Sequence, residues 1–229
     1  MTLLSKRLQA VYQMVDAGTR VADIGSDHAY LPVELIETGV IPYAIAGEVA
    51  EGPMSRSKAD VEKFGLSDKI DVRLGNGLAV INKEDNIDTV TIAGMGGILI
   101  CDILSRATEA QLSNVKTLIL QPNIGEPLVR HWLIEHGFEI IDEDILSEDN
   151  HDYEIVKAIK NDSVKELTEA QFLMGPVLMS KKSDAFVKKW QRKLNGYKKA
   201  VANMHNAKQI DEDKISKMQQ YIKYVEEIL

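Results

Sequence analysis

Apolar residues in this chain come in short bursts, and between the bursts they recur every three or four positions. The bursts predict strands at Arg20–Ile24, Tyr43–Val49, Ile70–Leu74, Thr89–Ala93, Thr117–Gln121, Phe138–Ile145 and Tyr153–Ile159. The helical spacing falls at 31–38, 53–65, 76–82, 96–107 and 125–136. A leading helix over 3–15 places Leu3, Leu4, Leu8, Val11, Tyr12 and Val15 on one face, and Gly18 ends it. Five strand–helix units followed by two strands with no helix between them predict an α/β fold. Its sheet has seven strands, mostly parallel with one antiparallel strand, and the last pair forms an antiparallel hairpin-like edge.

Past Lys160 the pattern changes. Thr168-Glu169-Ala170-Gln171 has the form of a capping box, and Gly175-Pro176 interrupts the helix that follows. From Lys181 to about Asn206 the spacing predicts one long helix with Phe186, Trp190, Leu194, Tyr197, Val201 and Met204 along a seam. Lys181, Lys182, Lys188, Lys189, Arg192, Lys193 and Lys199 flank that seam. A second helix over about 211–229 carries Ile215, Met218, Ile222, Val225 and Leu229. With a polar turn near Ala207–Ile210, the two read as an antiparallel coiled-coil hairpin. The expected domains are 1–163 and 164–229.

Charge sharpens that division. Residues 1–163 carry 14 Lys+Arg against 27 Asp+Glu, net −13, while residues 164–229 carry 13 against 8, net +5. The total of −8 speaks against nucleic acid, but the basic C-terminal segment restores that possibility. Cys101 is the single cysteine, which excludes an internal disulfide and a cysteine-based zinc site. The N-terminus lacks an apolar signal core and no long apolar run is present. A cytoplasmic protein without membrane or metal partners is expected, with a monomer favoured.

The chemistry gathers where strands end. In Asp23-Ile24-Gly25-Ser26-Asp27-His28-Ala29-Tyr30-Leu31-Pro32 a strand runs into a tight turn and then a helix, as in nucleotide-binding folds. Asp23 and Asp27 bring negative charge where a phosphate-binding loop avoids it. The loop suits a cationic ligand with a ribose, such as S-adenosylmethionine. Glu48, in Gly47-Glu48-Val49, ends the second strand, where an acid accepts hydrogen bonds from ribose hydroxyls. Asn76 and Gly77 follow the third strand and could meet an adenine edge. Ala93-Gly94-Met95-Gly96-Gly97 follows the fourth, where glycines permit close approach of cofactor or substrate. Gln121-Pro122-Asn123 adds polar groups to the same rim.

These stretches, with the C-terminal hairpin, resemble the bacterial TrmK family over nearly the whole chain. The resemblance implies a class I (Rossmann-like) S-adenosylmethionine-dependent methyltransferase acting on N1 of adenine 22 in tRNA. It implies Asp23, Gly25, Asp27 and His28 around the methionine part of the cofactor, and Glu48 and Val49 at ribose and adenine. Asn76 and Gly77 would hold the adenine, and the Gly94–Gly97 loop, with Met95, would border cofactor and target base. Methyltransferases acting on the adenine amine carry an N/D-P-P-Y/F motif after the fourth strand. Its replacement here by Ala93-Gly94-Met95-Gly96-Gly97 favours a ring nitrogen.

N1 of neutral adenine has a lone pair, so no strong base is required, whereas alignment and water exclusion are. Asp27 is the candidate for stabilising the cationic product ring, the other reading being that it only orients the cofactor ammonium. Lys188, Lys189, Arg192 and Lys193 are the candidate tRNA contacts. The alternatives are a small-molecule methyltransferase, an NAD-dependent dehydrogenase, opposed by the missing G-x-G-x-x-G, and a non-catalytic association module.

Overall fold

A computed structural model describes residues 4–148, 151–205 and 211–229. Leu3 and the hairpin turn expected near 207–210 lie outside the described residues. The chain divides into two compact units, Met1–Lys165 and Glu166–Leu229.

The first unit is built on seven strands: β1 (Arg20–Ile24), β2 (Tyr43–Glu48), β3 (Ile70–Leu74), β4 (Thr89–Gly96), β5 (Thr117–Ile124), β6 (Phe138–Glu148) and β7 (His151–Lys160). They form one sheet in the order β3-β2-β1-β4-β5-β7-β6. Only β7 runs against its neighbours, β5 on one side and β6 on the other. The single reversed strand follows from the missing helix: two strands joined directly form a hairpin, whereas parallel neighbours need a crossover. The helices are α1 (Lys6–Met14), α2 (Tyr30–Glu37), α3 (Glu51–Lys63), α4 (Gly97–Ser105), the short α5 (Glu109–Leu112) and α6 (Glu126–Glu135). Ser5 caps α1, its hydroxyl accepting from the Leu8 N–H.

Alternate strand residues feed two apolar clusters. Ala22, Ile45, Ile92, Leu118 and Leu120 pack with Leu78, Ile100, Leu104 and Leu133 in one. Val21, Ala44, Ala46, Ile119 and Ile155 pack with Val11, Leu31, Leu35 and Val61 in the other. Each fully buried Leu or Ile contributes roughly 1.5–3 kcal/mol, so both faces of the sheet are covered and its carboxyl edge is left to face a ligand.

Two expectations need correction. The segment 76–82 is not an α-helix but holds the 3₁₀ turn Gly77–Val80, and a second 3₁₀ turn, Lys83–Asp85, follows it. Arg73 overrides the apolar spacing there. Its Nη1 donates to the Val80 carbonyl (2.8 Å), and Nη1 and Nη2 fork onto Asp85 Oδ2 and Oδ1 (2.6 and 2.8 Å). β4 and β5 also run on to Gly96 and Ile124, with the pairing interrupted between Ala93 and Met95. Periodicity could not see this bulge, because the glycines carry no side-chain pattern.

The second unit holds α7 (Glu169–Met174), α8 (Pro176–Lys181), α9 (Asp184–His205) and α10 (Glu212–Ile228). The Thr168 capping box forms: its N–H donates to Gln171 Oε1 and its hydroxyl accepts from the Gln171 N–H. Lys182 takes a left-handed conformation (φ 44°) that separates α8 from α9. Lys181 and Lys182 therefore fall outside the long helix to which the spacing assigned them. α9 and α10 pack as an antiparallel pair, with Tyr197 against Tyr221 (5.8 Å between ring centroids) and Lys198 Nζ 2.6 Å from Glu226 Oε1. Among the described residues no helix is long and apolar enough to cross a membrane, and no group of three His, Cys, Asp or Glu could hold a metal ion.

Candidate functional site

Four parallel strands end side by side, and a cavity of about 130 Å³ opens at their tips. Its walls come from Ile24, Gly25, Gly47, Val49, Gly75, Asn76, Gly77, Met95, Leu99 and Ile103, so each of β1 to β4 contributes. The lining is largely apolar, as suits a flat ring system sandwiched between side chains. Exposed apolar side chains crowd the same edge: Val49 is 71% exposed, Ile98 75% and Ile124 73%. Such exposure at strand tips marks a surface meant to be covered by a ligand or partner.

The loop after β1 is strained. Asp27, His28 and Ala29 all have positive φ (43°, 67° and 54°), and Gly25 before them has φ 71°. Left-handed backbone costs roughly 1–2 kcal/mol for each non-glycine residue, so something must hold it. Glu48 does so from the end of β2: buried, its Oε1 accepts from the Asp27 N–H (2.8 Å) and the Ser57 hydroxyl (3.0 Å). His28 Nδ1 lies 2.7 Å from Asp60 Oδ2 on α3, and the His28 ring stacks on Tyr30. Asp23 works from below. Its carboxyl is buried and accepts from Thr91 Oγ1 and Ser26 Oγ, both at 2.6 Å. Burial pushes the Asp23 carboxyl above its usual range against the pull of those two hydroxyls, and nearby Glu48 pushes the same way.

Of the residues singled out from sequence, Gly25, Val49, Asn76, Gly77 and Met95 converge on the cavity wall. Asp23, Asp27, His28, Glu48 and Gly94 stand around it without lining it. The Asp27 carboxylate is exposed while its backbone is tied to Glu48. Gly25 is approached by the Met95 methyl, which lies 2.3 Å from where a Cβ on Gly25 would stand. On α9, Lys188, Arg192 and Lys193 are exposed. Lys189 is not: it is 6% exposed, with its ammonium 5.8 Å from the Trp190 ring centroid, so it leaves the solvent-facing basic flank.

Several site residues escaped the sequence reading. Leu99 and Ile103 line the cavity, and their spacing of four on α4 was the available signal. Ser57 and Thr91 have no sequence signature and serve only by bonding buried acids. Arg7 is the largest omission. It reaches from α1 to the β4–β5 tips, donating from Nη1 to Gln121 Oε1 at 2.7 Å across more than a hundred positions of sequence.

Comparison with known proteins converges on one family. The model of the TrmK family, tRNA (adenine(22)-N(1))-methyltransferase, matches residues 21–227. The tRNA (adenine(22)-N(1))-methyltransferase of Bacillus subtilis is 41% identical over 215 residues, 92% of this chain and 90% of the relative. The crystal structure of the B. subtilis M1A22 tRNA methyltransferase TrmK is 37% identical over 100% of this chain and 99% of its own, with a TM-score of 0.90. A Streptococcus pneumoniae candidate tRNA (m1A22) methyltransferase in complex with S-adenosyl-L-methionine is 41% identical over 99% and 100% of the two chains, with a TM-score of 0.89. With the family model matched over most of its length and a relative 41% identical across 92% of it, the chain belongs to the TrmK family of tRNA (adenine(22)-N(1))-methyltransferases.

Proposed function

We propose that this protein transfers a methyl group from S-adenosylmethionine to N1 of adenine 22 in tRNA. The carrying observation is the cavity across the tips of β1 to β4, bordered by buried Glu48 and walled by Val49, Asn76 and Leu99. Its chemistry suits that cofactor: apolar walls for the adenine, Asn76 for a polar ring edge, and a strand-end carboxylate for ribose hydroxyls. In the loop with Asp23 and Asp27 the N–H groups of Gly25, Ser26 and Asp27 are taken by the Gly47 carbonyl and Glu48, and its acids repel a pyrophosphate, which weakens the dehydrogenase alternative. Membership in a family of methyltransferases weakens the association-module alternative.

When bound, the cofactor supplies an electrophilic methyl group on a sulfonium. Glu48 and Val49 hold the ribose and adenine, Asn76 and Gly77 the adenine edge, and Gly25 with His28 shapes the methionine end. Asp23 maintains the loop from beneath. Asp27 is the exposed acid of the loop, Asp23 and Glu48 being buried, and it would orient the ammonium or stabilise the positive charge that N1 methylation leaves on the ring. Gly94 and Met95 border both ligands. The adenine must first leave its stack, at a cost of a few kcal/mol, and the exposed apolar side chains at the strand tips give it a surface to join. Proximity and orientation then supply roughly 7–11 kcal/mol without a strong base.

Methyl transfer belongs to residues 1–163 and tRNA contact to the helical domain 164–229, in a cytoplasmic monomer. Lys188 and, one turn further along α9, the adjacent Arg192 and Lys193 are three exposed cations suited to phosphate contact. Reversing all three to Glu is expected to weaken tRNA binding and flatten its salt dependence, each lost phosphate contact lowering the slope by about 0.7–0.9. Unchanged binding removes this face from the tRNA surface.

The reaction itself is tested with unmodified tRNA transcript, methyl donor and nucleoside mass spectrometry. The expected product is 1-methyladenosine, lost when adenine 22 is replaced by guanine. N6-methyladenosine, or no product, overturns the reading.

A further inference from the structure

Gly94 sits in the bulge where the β4–β5 pairing breaks, so its backbone N–H and C=O have no ladder partners there. Two side chains of β5 take their place. Gln121 Oε1 accepts from the Gly94 N–H (2.9 Å), and Asn123 Nδ2 donates to the Gly94 carbonyl (2.9 Å). Gln121 Nε2 donates to Asn123 Oδ1 (3.2 Å), closing a ring of three residues. Gln121 is fully buried, so its amide cannot trade these bonds for water.

Arg7 completes the ring from outside. Its Nη1 is the second donor on Gln121 Oε1, and this fixes which end of the amide faces Gly94. The guanidinium lies against Gly94 itself, Nη1 standing 3.2 Å from where a Cβ would be, and Gly94 has φ 80°. Any side chain at that position meets both the strain and the guanidinium. Arg7 is in turn anchored at its backbone. The first N–H groups of α1, those of Lys6 and Arg7, donate to Oε1 and Oε2 of Glu148 at the end of β6 (2.9 and 3.3 Å). The Tyr153 ring lies 5.9 Å from the Arg7 guanidinium. The next residue along β4, Met95, lines the cavity and covers Gly25. The orientation of the Gly94 peptide therefore sets where the cavity wall stands.

We propose that Arg7 is a positioning residue for methyl transfer: acting through Gln121 and Asn123, it holds the Gly94 bulge and with it the Met95 wall between cofactor and target base. The inference rests on the reading of the cavity as the methyl-transfer site. Arg7 need not touch either ligand. Its effect falls on alignment, where a displacement of about 1 Å costs on the order of 100-fold in rate.

The test compares wild type, Arg7→Gln, Arg7→Lys and Asn123→Ala in four measurements: kcat, KM for tRNA, Kd for S-adenosylhomocysteine, and amide hydrogen exchange at Gly94. Arg7→Gln is expected to lower kcat by roughly 10- to 100-fold, to leave Kd within about threefold, and to speed Gly94 exchange by at least about tenfold. Arg7→Lys, which keeps a donor for Gln121, restores part of kcat. Asn123→Ala, which opens the ring without touching α1, repeats the Arg7→Gln signature. Unchanged kcat and exchange in both variants overturn the proposal. Loss of S-adenosylhomocysteine affinity at unchanged kcat also overturns it, since Arg7 then contacts the ligand directly. If wild type itself transfers no methyl group to tRNA, the functional reading falls, and Gly94 exchange still decides whether the clasp holds the bulge.

Discussion

The two sides of the strand-tip rim are built by different physics. On the β1–β3 side, a small apolar cavity is shaped by glycine backbone and by Val49, Leu99 and Ile103, and the buried polar groups beside it bond inward. On the β4–β5 side, a bulge is held by a ring of amides and a guanidinium. The braces differ as well. Arg73, partly exposed, forks onto Asp85 beneath the first side. Arg130, fully buried on the α6 helix that leaves β5, donates from Nε to Glu143 (2.7 Å) and from Nη2 to Glu154 (2.5 Å). Shape suffices to hold a rigid cofactor. In the proposed function the second side presents a backbone segment to the target base, which requires fixed direction, and hydrogen bonds provide that where apolar contact does not.

The largest expected effect breaks the second brace. Arg130→Met leaves two buried carboxylates without their cation and is expected to cost about 3–5 kcal/mol in urea unfolding. A loss under about 1 kcal/mol would show that the triad is solvated and the contrast between the braces false. Next, Glu48→Ala removes the acid that holds the Asp27 turn and to which the proposed function assigns the ribose. S-adenosylhomocysteine affinity is expected to fall on the order of 100-fold, with KM for tRNA unchanged. If Glu48→Ala instead spares cofactor affinity and raises KM for tRNA, the two sides have been assigned in the wrong order.

The smallest effect sharpens the first brace. Arg73 holds the Asp85 carboxyl below its usual range, through hydrogen bonds first and charge second. A depressed carboxylate stabilises the fold above its unfolded pKa, and that stabilisation disappears as pH falls through the lowered native value. Asp85→Asn is therefore expected to cost about 1–2 kcal/mol at neutral pH. The wild-type and variant stability curves should converge as the pH drops below 3.8, followed by urea unfolding across acid pH. A gap that persists there would place the contribution of Asp85 in packing rather than charge.

Much of this was legible in the chain. Seven strands and their single reversal followed from apolar periodicity and from one missing helix, because strand and helix impose periods of 2 and 3.6 on whichever residues must be buried. The Thr168 capping box followed from local bonding, which needs no tertiary partner. The resemblance to the TrmK family was carried by the stretches at the strand ends and the C-terminal hairpin, and the family comparison bore it out. The sequence by itself could place Asn76, Gly94 and Glu48 on one rim but could not say which face the cavity.

Tertiary structure decided what depends on contacts between distant segments. Arg7 lies 114 positions from Gln121, and no local pattern ties an arginine on a leading helix to the bulge it steadies. Arg73 turned an expected helix into 3₁₀ turns, and the surroundings of Lys189 took it from the solvent-facing flank. Periodicity reports which positions are buried. The partner each buried polar group finds is settled only when the elements pack, because a hydrogen bond depends on distance and angle in space and not on spacing along the chain.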